Sequence, residues 1–152
     1  MDEKGTEAVS AGYLGRVEWR VAIHQIDEDR IFSLQGRLIY DRVDPFAVNL
    51  EFYYEGKLIT SWIMSRESLQ DGLQGSCGIG DVRLIPYRYG GIDLLQITLL
   101  PAYDLRSAFL LSASTVEAFL QQTLHLVPGG TEASLIDWDA LLARLFADGE
   151  CG

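Results

Sequence analysis

Histidine, cysteine and basic residues are scarce in this chain, and each scarcity removes a class of function. Two histidines (His24, His125) and two cysteines (Cys77, Cys151) occur in 152 residues, far apart and with no C-x-x-C or Cys/His cluster. No zinc-type ligand set is therefore expected, and the cysteines suit a reducing cytoplasm better than a disulfide scaffold. Only 12 Lys and Arg face 22 Asp and Glu, a net charge of -10. Affinity for phosphate backbones comes largely from Lys and Arg displacing counterions, so this balance opposes nucleic acid and anionic membrane surfaces as partners. Local basic residues such as Arg83, Arg88 and Arg106 are too few to reverse it. Long apolar runs are missing too: the apolar blocks are short and broken by Arg, Asp or Gln, so neither a signal peptide nor membrane insertion is expected.

Catalytic and cofactor patterns are equally sparse. Gly75-Ser76-Cys77-Gly78 does not match G-x-S-x-G, and it leads into a strand where a nucleophile elbow leads into a helix. Cys77 would be reactive only if Arg66 or Arg83 stabilised its thiolate, and nothing in the sequence places either nearby. No G-K-S or G-K-T follows the glycines to make a phosphate cradle. Asp27-Glu28-Asp29 lacks the spacing of a calcium loop and reads as a solvated turn. No catalytic residue, cofactor or metal site is assigned, and a non-enzyme is expected.

What is present is alternation. A chain of this length fits one domain that buries roughly 68–70% of its unfolded surface. Residues 1–15 show neither structural period and read as a flexible extension, leaving a single domain over residues 16–148. Val17, Trp19, Val21 and Ile23 alternate along a first strand; strands follow over residues 31–40, 46–54, 57–64, 81–89, 92–100 and 103–111. Glu55-Gly56 and Gly90-Gly91 are two-residue hairpin connections. Ser65 is placed to cap a short helix carrying Leu69 and Leu73, which runs into a glycine-dense turn. Ser114-Thr115-Val116-Glu117 has capping-box form before a second helix whose stripe includes Val116, Phe119 and Leu120, with His125 at its end. Asp137 caps a last helix in which Trp138, Leu141, Leu142, Leu145 and Phe146 share a face. Hairpins with helices grouped after them give an α+β class, antiparallel sheets from two β-rich halves with packed helices.

Three sequence elements in this order carry a resemblance. Tyr40-Asp41-Arg42-Val43-Asp44-Pro45-Phe46-Ala47-Val48 follows Y-D-x-x-D-P-F-A-V; Trp62, Arg66, Leu69 and Gly72 follow W-x-x-x-R-x-x-L-x-x-G; Gly78-Ile79-Gly80-Asp81-Val82 follows G-x-G-D-V. With the C-terminal helices, they resemble the SsgA-like sporulation and cell-division proteins of mycelial actinobacteria over about residues 40–146. The resemblance implies a whirly-like fold, similar to single-stranded-DNA-binding proteins, assembled as a homotrimer. It implies a cytoplasmic adaptor at division sites whose partners are the tubulin-like GTPase FtsZ and SsgA-type paralogues, with the FtsZ-recruiting branch expected. The rival reading, a single-stranded nucleic-acid-binding protein, rests on the implied fold, and the chain lacks the basic, aromatic-studded groove it requires. Two departures stand out: a longer segment before Arg16 and a tighter hairpin at Tyr89-Gly90-Gly91-Ile92.

Five residues are candidates for a partner surface: Trp19, Arg66, Tyr87, Arg88 and Tyr89. Arg between tyrosines is common interface composition. Arg66, Asp41 and Asp81 match the family's charged positions and either pair internally or face a partner. Trp62 and Trp138 lie among apolar residues at strand and helix spacing and read as core.

Overall fold

The structure, a computed structural model, describes residues 8–9, 15–79, 81–99 and 107–148. Two twelve-residue strands, β2 (Arg16–Asp27) and β3 (Arg30–Asp41), form a long hairpin in register from Asp27↔Arg30 to Arg16↔Asp41. β4 (Ala47–Tyr54) and β5 (Lys57–Ser65) continue the meander through Glu55 and Gly56, whose φ values of 51° and 81° are those of a tight hairpin turn. Alternation buries Val48, Leu50 and Phe52 of β4 on one face. After α1 (Arg66–Gln74) come β6 (Cys77–Ile79), β7 (Val82–Tyr89), β8 (Ile92–Leu99) and β9 (Ser107–Ser112), then α2 (Ala113–Leu126), a 3-10 turn (Glu132–Leu135) and α3 (Trp138–Asp148).

The strands form a single curled antiparallel sheet in the order β5-β4-β3-β2-β9-β8-β7-β6. Expected as separate sheets, the two β-rich halves are thus joined edge to edge. On the edge of β2 opposite β3, His24, Gln25 and Ile26 pair with Leu110, Phe109 and Ala108 of β9. Backbone groups there need partners, and periodicity does not say which strand supplies them. A two-residue strand, β1 (Ala8–Val9), pairs with β2 at Trp19 and Glu18, within the segment expected to carry no element; the rest of residues 1–14 lies outside the described residues. So do Gly80, the start of the strand expected over residues 103–111, and Cys151.

Two further boundaries differ from expectation. α2 is capped by Ser112, whose Oγ accepts from the Thr115 N–H at 3.3 Å, so the helix begins before the capping box proposed at Ser114. The glycine-rich turn after α1 contains β6, paired with β7 from Cys77↔Leu84 to Ile79↔Val82.

The core lies between the concave sheet and α2. Val116 and Phe119 of α2 are fully buried against a sheet face that includes Ile23, Leu38, Leu50, Leu95 and Ile97. Trp19 meets Phe119 edge to face at 6.1 Å, and Phe52 packs on Phe109 at 4.6 Å. α1 lies against β7 so closely that a Cβ on Gly72 would sit 2.6 Å from the Leu84 Cβ, which explains a glycine in that helix despite its low helix propensity. Trp62 is half-buried against the core, as expected, whereas Trp138 is not core: it is 49% exposed, and Leu142, Leu145 and Phe146 of α3 are exposed with it. The helical period identifies one apolar face on α3, and none of the described residues covers it.

Candidate interaction surface

The first two sequence elements quoted above meet at one buried site. Ser65, at the end of β5, caps α1 by accepting from the Ser68 N–H at 3.0 Å, and the Arg66 N–H donates to the Phe46 carbonyl at 2.8 Å. This pins the first helical residue inward, and Arg66 is only 1% exposed. Its Nη1 donates to the carbonyls of Thr123 at 3.0 Å and Val127 at 2.8 Å, and its Nη2 to Glu132 Oε2 at 2.6 Å. The guanidinium carbon lies 4.9 Å from the centre of the Tyr40 ring. The Thr123 carbonyl already accepts from the Val127 N–H at 2.8 Å and gains Arg66 as a second donor, while the Val127 carbonyl lies past the end of the helix; both sit at the negative end of the helix dipole, which favours a fixed cation.

Tyr40 extends the lock to the other side. Its hydroxyl donates to the Pro45 carbonyl at 2.9 Å, while Asp41 Oδ1 accepts from the Val43 N–H at 3.0 Å and Asp44 N–H donates to the Asp41 carbonyl at 2.9 Å. Y-D-x-x-D-P is therefore a turn tied by its own side chains, and W-x-x-x-R supplies the cation beneath it.

The electrostatics follow. The Arg66 hydrogen bond holds the Glu132 carboxyl below the usual glutamate range, helped by backbone N–H groups including that of Gly130 and opposed by burial. Burial pushes the Tyr40 phenol up to about 12; Arg66 opposes this, and Glu132 and Asp44 add to it. Folding therefore favours the neutral phenol. Its contribution to stability is present in full below the ordinary tyrosine value of 10.0 and is lost as the pH rises from there toward about 12. The expected loss is about 1.4 kcal/mol per unit of pH. Denaturant midpoints measured across this alkaline range should fall more steeply for the unaltered chain than for Tyr40→Phe.

Arg66 is thus removed from the candidate surface: it pairs internally. Trp19 is half-buried against Phe119 and belongs with the core. Tyr87, Arg88 and Tyr89 remain together at the turn end of the β7–β8 hairpin, where Gly90 and Gly91 have φ of 59° and 82°. Tyr89 is 70% exposed beside its cross-strand partner Ile92, and Arg88 pairs across the strands with Asp93 at 2.7 Å in the open. Between this hairpin, α1 and α2 lies a depression of about 330 Å³ that Tyr87 and Arg88 help to line. Asp41 serves its turn, Asp81 is exposed, and His24 and His125 are exposed and distant in the chain. Among the described residues no group of three or more His, Cys, Asp or Glu could hold a metal ion, and no helix is long and apolar enough to cross a membrane.

The family model described as "Streptomyces sporulation and cell division protein, SsgA" matches residues 34–132, the span that contains Tyr40, Arg66 and Glu132. The chain belongs to the SsgA family. Among curated relatives, it is 33% identical over 123 residues to the sporulation-specific cell division protein SsgB of Streptomyces coelicolor, covering 81% of this chain and 89% of the relative. It is 34% identical over 125 residues to the protein of that name from Thermobifida fusca, covering 82% and 90%. The crystal structure of an SsgA-like sporulation-specific cell division protein from Thermobifida fusca superposes with a TM-score of 0.78 at 31% identity, covering 88% of this chain and 98% of that one. In this SsgA-family chain two residues of the elements that carried the resemblance, Tyr40 and Arg66, are interior and tie the sheet, α2 and the 3-10 turn together.

Proposed function

We propose that this SsgA-family chain is a non-catalytic adaptor in sporulation-specific cell division that positions the septum and recruits FtsZ through protein–protein contacts. The observation that carries the reading is its similarity, over most of both chains, to proteins named for sporulation-specific cell division. In this reading it works in the cytoplasm at division sites, together with SsgA-type paralogues, as a homotrimer with the whirly-like fold the family resemblance implies. Exposed apolar residues on α3 and on β5, where Leu58, Ile59 and Ile63 are each more than half exposed, supply surface for such assembly. Repeating one weak contact three times raises avidity toward a polymer without any new contact. The candidate contact is the aromatic hairpin end, Tyr87, Arg88 and Tyr89, since tyrosine and arginine dominate interface energetics.

Co-sedimentation with polymerised FtsZ tests this. The unaltered chain should pellet with the polymer, and the double substitution Tyr87→Ser with Tyr89→Ser should lower the bound fraction about tenfold or more. Failure of the unaltered chain to associate with either FtsZ or an SsgA-type paralogue would overturn the adaptor reading. Unchanged pelleting of the double variant would move the contact elsewhere on the surface.

A further inference from the structure

Between the turn after β3 and helix α3 runs a groove of about 550 Å³ with an apolar lining of Val43, Leu135, Ile136, Ala140 and Leu141. Three charged residues share it: Arg42, Arg144 and Asp137. Asp137 is already engaged, since its Oδ1 accepts from the Ala140 N–H at 3.1 Å and caps α3. Arg42 and Arg144 are exposed, and neither makes an ion pair among the described residues; Arg20, Arg30 and Arg83 are likewise exposed and unpaired there, but only Arg42 and Arg144 flank this groove. Two guanidinium groups thus flank one apolar floor on a chain with a net charge of -10.

We propose that this groove docks an acidic, apolar peptide segment of a partner protein, with an aliphatic side chain on the floor and carboxylates on Arg42 and Arg144. Charge complementarity selects the occupant. Arginine forks pair with carboxylates in two-point geometry, and the surrounding acidity repels a polyanion such as nucleic acid while leaving a short segment with a few carboxylates its two cations. The apolar floor gives a sugar-phosphate backbone nothing to bury.

The groove is also held in shape before binding. Val43, 84% exposed, is presented on a turn fixed by the Asp41 carboxylate and by the Tyr40 hydroxyl on Pro45. The opposite wall follows the 3-10 turn whose Glu132 is gripped by Arg66. Both walls therefore hang on the same buried arginine, and a preformed groove loses less ordering entropy on binding than a flexible one. The proposal stands apart from the division reading, because it names a partner chemistry and uses a surface away from Tyr87 and Tyr89.

A phage-displayed random peptide library panned on the full chain tests it, followed by fluorescence anisotropy with the recovered peptides. Enrichment of sequences combining Asp or Glu with Leu, Ile or Val is expected, with affinity that weakens as salt is raised. The double substitution Arg42→Glu with Arg144→Glu should weaken these peptides about tenfold or more while leaving the melting temperature unchanged, since both residues are exposed. Lysine-for-glutamate versions of the peptides should not bind the unaltered chain. Recovery of no enriched peptide, of peptides without acidic excess, or of acidic peptides that bind the double variant equally well would overturn the proposal.

Discussion

Replacing Arg66 by Ala is expected to lower the unfolding free energy by about 3–5 kcal/mol, the usual consequence of deleting one partner of a buried ion pair. The substitution strands the Val127 carbonyl at the end of α2, takes one of two donors from the Thr123 carbonyl, and leaves the Glu132 carboxylate, whose side chain is only 17% exposed, without its cation. For a chain of this length the melting temperature should drop by roughly 10 °C. Arg66→Lys should recover little, because an ammonium is a single point and cannot reach two carbonyls and a carboxylate at once. A second readout separates loss of the pair from general damage. The lowered pKa of Glu132 contributes stability that is present above the ordinary glutamate range and is lost as pH falls through its folded value. Urea unfolding of Arg66→Ala should lack that acid-dependent part. Equal stability of variant and unaltered chain would show that the lock does not hold the helices to the sheet.

Phe119→Ala should lose a similar amount, about 3–5 kcal/mol, for a different reason. Phe119 is fully buried in α2 and meets Trp19 edge to face, so truncation removes both its transfer energy and the packing of a second large ring, and leaves a cavity under the sheet. Denaturant unfolding followed by tryptophan emission should show a lower midpoint and, in the native baseline, a red shift as water reaches Trp19. An unshifted baseline with unchanged midpoint would mean that Trp19 does not depend on α2 for its burial.

The strands and hairpins were legible because their signals are local. Alternation in residues 47–54, glycines with positive φ at Gly56, Gly90 and Gly91, and the caps Ser65 and Asp137 each depend on a few neighbouring residues. The cap of α2 was misplaced because Ser112 and Ser114 are chemically equal candidates, and only the end of β9 decides between them. Trp19 and Trp138 exchanged roles for a related reason. Each lies on an apolar face, but whether another element covers that face depends on chain distant in sequence.

The family elements show the same division most plainly. Their order and spacing sufficed to place the chain in its family, yet Arg66 stood equally well as a surface contact or an internal partner until its ligands were seen 57 to 66 residues further along the chain. The amino-acid sequence by itself determined the α+β class, the strand meander, the turn chemistry and the acidic character, since period, φ preference and charge are properties of short stretches. Tertiary structure alone decided the union of two halves into one sheet, the burial of Arg66 beneath Tyr40, the face of α3 left exposed by the described residues and the arginine-flanked groove. Those depend on which distant segments meet, and hydrophobic burial, being non-directional, does not specify that from local pattern.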